Sequence, residues 1–246
     1  MFRLDPPART NVVDIYETHA ASWWNFDNPI FAPLHAMVPA RGRYLDRRRI
    51  DLRDKVVVDV GAGGGYVADL CAKRGATVLA LDIARGALLA GKGTVGSAAI
   101  AWSTASALAL PVASNSVDVV VATDVLVHVP LELGGARAAI AEVGRVLKPG
   151  GVFWFSTVSD TWLARFVLIT LGEDLLRFVH KGTHEPSTFL SPRKMRDHCG
   201  AAGLDVVAAE GVGPVGIGRD AQGRLALKMG RLPGTAVMWQ GHAIKR

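Results

Sequence analysis

The stretch VVVDVGAGGGY, Val56 to Tyr66, constrains this chain more than any other. A valine-rich run that reads as a buried strand breaks at once into four glycines within five positions, Gly61 to Gly65. Glycine weakens strands and helices alike, so its concentration here needs a cause. A strand that turns directly into a helix, its backbone pressed against a ligand, needs positions without a Cβ and with positive φ available. The dinucleotide-binding version of such a turn is G-x-G-x-x-G/A. Counted from Gly61, its last position falls on Tyr66, so that fingerprint fails at its close-packing residue. What stands is D-x-G-x-G-x-G, formed by Asp59, Gly61, Gly63 and Gly65.

After this turn the chain keeps the rhythm of a parallel sheet with crossover helices, short valine-rich runs alternating with alanine- and leucine-rich segments of helical length. Val56–Val60 is the first expected strand, Val67 to Arg74 part of the helix behind it, and Ala76 to Asp82 the second strand. A less regular stretch follows. Val117–Thr123 reads as a fully buried strand, Gly134 to Leu147 as a helix stopped by KPGG, and Gly151 to Val158 as the next strand. Proline and paired glycine cannot extend a helix. Two regions lie outside this rhythm: the aromatic- and proline-rich first 50 residues, and an apolar insertion, Trp162 to Val179. Insertions beyond the carboxyl ends of such strands usually cover the ligand crevice, which makes both lid candidates.

The bulk numbers suit this reading. A chain of 246 residues, 50% hydrophobic and 20% charged, is enough for one globular domain with a large core. No run of 18 uncharged apolar residues occurs and the N-terminus lacks a signal-peptide centre, so a cytoplasmic protein is expected. Cys71 and Cys199 have no metal-ligand spacing and read as free, buried thiols. The net charge of +6 invites nucleic acid or an anionic surface as a partner, but the basic residues are scattered. The densest run, Arg41 to Lys55, is interrupted by Asp46, Asp51 and Asp54 and reads as a solvated helix face.

An acidic residue ending the second strand can accept both ribose hydroxyls of a nucleoside, and Asp82 stands there, 17 residues beyond Gly65. Taken singly, such an aspartate is most often a turn residue. With the later strands and the KPGG turn, the motif resembles that of class I S-adenosylmethionine-dependent methyltransferases. That resemblance implies an α/β fold, a doubly wound, mostly parallel seven-stranded sheet. It would divide into an N-terminal helical lid (1–50), a cofactor-binding core (56–158), an inserted apolar helix (159–190) and C-terminal strands (191–246).

A narrower likeness runs along most of the chain. ASWWNFDNPIFAPLH with VPARGRYL, GATVLALD, DVLVHVP, LKPGGVFWFST, KGTHEPSTFLSP and LPGTAVMWQGHA are similar to segments of the ubiquinone-biosynthesis O-methyltransferases, which methylate hydroxyls on polyprenylated catechol and quinol rings. The resemblance implies that Arg41 reaches the cofactor's carboxylate, that Gly61 lies beneath the methionine moiety, and that Thr123 flanks the adenine. Ser106 stands where many such enzymes carry an aspartate for the adenine amino group; its hydroxyl, or the backbone around Ala107, would substitute.

The family typically reads E-x-x-E-H where this chain has Asp124, Val127 and His128. Val127 removes one oxygen ligand and Asp124 is one methylene shorter, which puts a magnesium ion held by Asp124 and His128 in doubt, since hard cations take six or more oxygens. A catechol hydroxyl still has to lose its proton, and His128 is the candidate base, with Asp124 orienting it or holding a remaining cation. A histidine after an apolar strand is otherwise more often structural. His35 and His184 are secondary candidates at the lid, where Trp23, Trp24, Trp162 and Phe166 are placed for substrate contact. Paired tryptophans serve equally well as packing. The insertion, with Leu163, Phe166, Val167 and Leu171 at helical spacing and Arg165, Arg177 and Lys181 nearby, is too interrupted by charge to span a bilayer. The family likeness suggests peripheral membrane contact; a plain lid explains the same residues.

Three other readings stay open: a tailoring O-methyltransferase for a soluble phenol, a nucleic-acid methyltransferase, and a non-catalytic cofactor-binding partner in a biosynthetic complex. The second is weakened because TDVLVH occupies the place of the Asn/Asp-Pro-Pro-aromatic motif used for base amino groups.

Overall fold

A computed structural model describes residues 12–28, 30–175, 185–219, 223 and 225–246. Its centre is a single sheet of eight strands in the order β3-β2-β1-β4-β5-β8-β6-β7. Strands β1 (Val56–Val60), β2 (Thr77–Asp82), β3 (Ile100–Thr104), β4 (Val117–Thr123) and β5 (Leu147–Val158) pair in parallel, whereas β6 (Leu204–Arg219), β7 (Leu225–Leu232) and β8 (Met238–Lys245) add antiparallel. The expected count of seven is thus corrected to eight: β6 is 16 residues long and folds back on β7, which becomes the sheet edge.

The helices are α1 (Val12–Thr18), α2 (Ala32–Arg48), α3 (Tyr66–Ala72), α4 (Arg85–Val95), α5 (Gly135–Val146), α6 (Trp162–Arg165) and α7 (Pro192–Ala201). They cover both faces of the sheet, which explains why β1 and β4 read as valine-rich runs rather than alternating ones. Neighbours along a strand enter opposite cores. Val58, Val120 and Phe155 meet Ile140 of α5 and Met195 of α7, while Val57, Val121 and Trp154 meet Tyr44 of α2 and Val67 of α3.

Three expectations along the chain need correction. The irregular stretch after Asp82 contains α4 and the edge strand β3. The KPGG segment does not stand outside the strand: Leu147 already pairs with Val117, and the register slips there before Val152 pairs with Val119, so the prolyl-glycyl turn is a bulge within β5. The basic run from Arg41 is not a solvated face throughout. Arg41 is buried, and Arg47 and Arg48 both reach the buried Glu210 of β6. The inserted helix begins as α6 and continues as a ten-residue π-helical run, Phe166–Leu175; its expected basic residues Arg177 and Lys181, with His184, lie outside the described residues. Among the described residues no helix is long and apolar enough to cross a membrane. Cys71 and Cys199 are free and buried, and burial pushes both thiols up, Cys199 to about 12.

Candidate active site

The glycine turn lies at the carboxyl end of β1, where parallel sheets present their ligand crevice. Gly61 has φ +71° and donates its N–H to the Leu81 carbonyl (2.8 Å), tying the turn to the end of β2. Gly63 has φ +53°, and a Cβ there would come within 2.4 Å of the Trp23 ring. Gly65 is the residue from which α3 starts. Asp82 grips the same turn: one carboxylate oxygen accepts from the Gly63 N–H (2.7 Å) and the other from the Ala84 N–H (2.8 Å). Each oxygen keeps a lone pair for a ribose hydroxyl. Burial raises the Asp82 carboxyl, and the amides of Ala84 and Gly63 offset part of the rise.

Above the turn opens a cavity of about 310 Å³. Asp59, Gly61, Gly63 and Asp82 line it from the strand ends, joined by Arg41 of α2 and by Ser106, Ala107, Thr123, Asp124 and His128. Ten positions from five separate stretches of the chain therefore converge on one crevice. Asp59 is buried, neither of its oxygens makes a well-formed hydrogen bond, and burial lifts its carboxyl to about 7, with Arg41 pulling it down, Asp82 pushing it up and the nearby Ala68 amide lowering it slightly. A buried, unsatisfied carboxylate is costly unless something fills its lone pairs. The buried Nε of Arg41 is likewise unpartnered. An ammonium group for Asp59, a carboxylate for Arg41, a ribose for Asp82 and a flat base beside Ser106 and Ala107 form the donor and acceptor set of S-adenosylmethionine, and these residues fit it.

Asp124 follows β4 with φ +60°, a left-handed conformation that asparagine and aspartate tolerate better than other side chains. Its N–H donates to the Ser156 carbonyl (3.0 Å), the Ser156 hydroxyl donates to Oδ1 (2.8 Å), and Arg41 Nη2 forms an ion pair with Oδ2. A short 3-10 turn, Leu126–His128, then carries His128 to the rim of the crevice. Val127 packs in an apolar cluster with Val158, Ala164, Leu168 and Phe189. Both Asp124 oxygens are thus engaged and Val127 supplies none; among the described residues no group of three or more metal-ligating side chains assembles. This donor set does not fit a divalent cation.

A second cavity, about 580 Å³, opens on the far side of Asp124 and His128. Its walls are apolar residues of α2, the π-helical insertion and the β6–β7 hairpin, among them Leu34, Val167, Leu168, Val212, Leu227 and Met229.

The lid residues are distributed differently from expectation. Trp23 is buried against the glycine turn, its carbonyl accepting from the Tyr66 hydroxyl, and it borders the first cavity. Trp24 donates its indole N–H to the Gly64 carbonyl (2.9 Å) and lines neither cavity. His35 packs on Phe26, ring centroids 3.9 Å apart, and also lines neither. Trp162 (77% exposed) and Phe166 (45%) face outward; Val167 and Leu168 line the cavity in their place. Sequence reasoning missed Ser156, one of two adjacent hydroxyls inside FWFSTV with nothing to mark it out, and Tyr16 of α1, which borders both cavities.

A family model described as a methyltransferase domain matches residues 58–155, the span from β1 to β5. Ubiquinone biosynthesis O-methyltransferase from Methylococcus capsulatus is 31% identical over 208 residues, covering 82% of this chain and 84% of its own length. Its counterpart from Marinobacter nauticus is 34% identical over 201 residues, covering 80% and 82%. Magnesium protoporphyrin IX methyltransferase from Synechocystis, solved with bound SAH, superposes with a TM-score of 0.66 at 17% identity over 96% of this chain and 98% of its own, a likeness of fold alone. The crevice at the strand ends and these relatives agree: the chain belongs to the ubiquinone biosynthesis O-methyltransferase family and is an S-adenosylmethionine-dependent methyltransferase.

Proposed function

We propose that this enzyme methylates a hydroxyl on a catechol or quinol ring that carries an apolar, polyprenyl-type tail. The observation that carries the proposal is the meeting of two unlike cavities at Asp124 and His128: one fits the cofactor, the other is large and apolar. A ring at the junction, with its tail in the second cavity, would bury apolar surface at about 25 cal/mol per Å². The names of the curated relatives support the same substrate class.

When bound, S-adenosylmethionine supplies a methyl group on a cationic sulfur, open to displacement by an oxygen nucleophile. A phenolic hydroxyl with an ordinary pKa of about 10 must lose its proton to become that nucleophile. His128 borders both cavities, and imidazole titrates nearest to neutral pH, so His128 takes the proton. Asp124, held by Arg41 and Ser156, borders the same junction and is placed to orient the imidazole. The apolar walls exclude water and hold the ring in line. No step uses a divalent cation.

Incubation with S-adenosylmethionine and a short-tailed demethylubiquinol-type catechol, with and without EDTA, tests this by product mass. Methylated product in both tubes is expected. Absence of product from protein that binds the cofactor would sink the quinol assignment. Val127, in place of the family's carboxylate, favours a second reading, a tailoring enzyme for a soluble phenol; a substrate panel separates the two, because only the quinol enzyme gains from a prenyl tail. We further propose peripheral contact with a bilayer through the exposed Trp162 and Phe166, on the segment whose Val167 and Leu168 line the tail cavity. Co-sedimentation with anionic vesicles, lost in a Trp162→Ser/Phe166→Ser variant, is the check.

A further inference from the structure

Among the described residues only Tyr16, Leu34, Asp124 and His128 border both cavities. In the larger one, Tyr16, Asp124 and His128 are the polar side chains in an otherwise apolar lining. The Asp124 carboxylate is committed to Arg41 and Ser156, and His128 is the base of the reaction. That leaves the Tyr16 phenol as the uncommitted hydroxyl where the acceptor ring meets the cofactor crevice.

Tyr16 is also held firmly for a lid residue. Its ring packs edge-on against Trp23 (centroids 5.4 Å, 63°) and tilted against Phe31 (6.3 Å). The residue before it, Ile15, is buried and lines the apolar cavity. The residue after it, Glu17, accepts from the Gly86 N–H with both carboxylate oxygens (3.0 and 2.8 Å), at the start of α4. Helix α1 is therefore pinned on both sides of Tyr16. Burial, with the charges of Asp124 and Asp82 adding to it, pushes the phenol up, so it remains protonated and keeps a proton to donate.

Resting on the reading of the site as one for a catechol or quinol, we propose that the Tyr16 hydroxyl donates a hydrogen bond to the substrate oxygen adjacent to the one that is methylated, and so selects rings bearing two neighbouring oxygens over monophenols. The reacting hydroxyl faces His128 and its neighbour faces Tyr16. A donor in an apolar wall discriminates strongly because, without its partner, it is left unsatisfied.

The test compares wild type with Tyr16→Phe, which keeps the ring and its packing, on two probes with the same short tail: a catechol and the monophenol lacking the adjacent oxygen. The variant should raise KM for the catechol about tenfold, the equivalent of one hydrogen bond, and change kcat by less than about threefold. Its kcat/KM for the monophenol and its affinity for S-adenosylmethionine should stay at wild-type values. An equal loss on both probes, or no loss on the catechol, overturns the proposal. Titration of the two probes in the presence of S-adenosylhomocysteine reads the contact without turnover. Tighter, Tyr16-dependent catechol binding without methylation would remove the assigned reaction and keep the contact; methylation with an unchanged Tyr16→Phe variant would do the reverse. Wild type that binds both probes equally, or neither, overturns the contact.

Discussion

Arg41 and Asp124 form an ion pair between the middle of α2 and the end of β4, with the Ser156 hydroxyl closing the triangle (2.8 Å to Asp124, 3.4 Å to Arg41). The resemblance to the family implied Arg41 for the cofactor and Asp124 for the reaction, and the pair joins the two roles. A guanidinium with unspent donors lies over the cofactor crevice while it fixes the carboxylate beside His128. Arg41→Ala should leave Asp124 unpaired at a mostly buried position. Loss of about 3 kcal/mol in urea unfolding is expected, together with loss of most turnover. Arg41→Leu/Asp124→Asn, which removes both charges and keeps a side chain that tolerates the φ of +60°, should recover much of the stability and none of the activity. An Arg41→Ala protein as stable as wild type would mean that the pair is solvent-screened.

Asp59 gives a pH signature. Its carboxyl is lifted from 3.8 to about 7, burial being the largest cause. Between these values the folded state holds a proton that the unfolded state has lost, so stability falls as pH rises from about 4 to 7 and levels off above. Asp82 is raised for the same reason and adds in the same direction. Asp59→Asn removes one contribution, and the difference between its stability profile and that of wild type should slope only in that window. The slope should shrink when S-adenosylmethionine is present, because its ammonium favours the ionised carboxylate. A difference profile that is flat without cofactor would refute the assignment.

The contact between Trp23 and the glycine turn predicts a steric coupling of lid and cofactor. Gly63→Ala would put a Cβ 2.4 Å from the indole and strain a φ of +53°. S-adenosylmethionine affinity, followed by calorimetry, should fall at least about tenfold. Trp23→Ala in the same chain frees the space and leaves the backbone strain, so it should recover part of the loss. No recovery would assign the whole effect to φ.

Legibility followed burial. Strands β1 and β4 were readable to the residue because two-sided cores demand near-continuous apolar runs, and Asp82 became readable only in company with the glycine turn, which few other purposes explain. Strand β3, IAWST, was not, being a mostly exposed edge without a face to impose a period. The KPGG bulge was mistaken for a helix stop alone, since pairing with β4 keeps it within the strand. In the site, the crevice residues share motifs that mark them. Tyr16 does not: VVDIYET is an ordinary helical heptad, and only the docking of α1 over the crevice gives its hydroxyl a role. Trp162 and Phe166 carried the right composition, but which face of the insertion meets the cavity is decided by tertiary packing, and Val167 and Leu168 took that face.

Val127 offers a sharper test of the metal question than chelation. Val127→Glu would insert a carboxylate into a cluster of Val158, Ala164, Leu168 and Phe189. If the site were a cation site lacking one ligand, magnesium would stabilise the variant and raise its turnover. The packing predicts the opposite: a charge set into the apolar wall of the larger cavity, a loss of several kcal/mol in urea unfolding, and no recovery with magnesium. Magnesium-dependent recovery would overturn the conclusion that Asp124 is already spent on Arg41 and Ser156.

The larger cavity makes a prediction about chain length rather than chemistry. Val212 of β6 is buried and lines that cavity near Met229 and Met238. Val212→Trp should fill part of the space a tail would use and leave the cofactor crevice, which it does not line, unchanged. If the tail lies there, kcat/KM for a prenylated catechol should fall more than about tenfold, from the apolar burial lost, while a tail-less catechol keeps its wild-type value. Equal effects on both substrates would mean that the tail leaves by another route. In that case the apolar walls would serve only to keep water from the junction of Asp124 and His128.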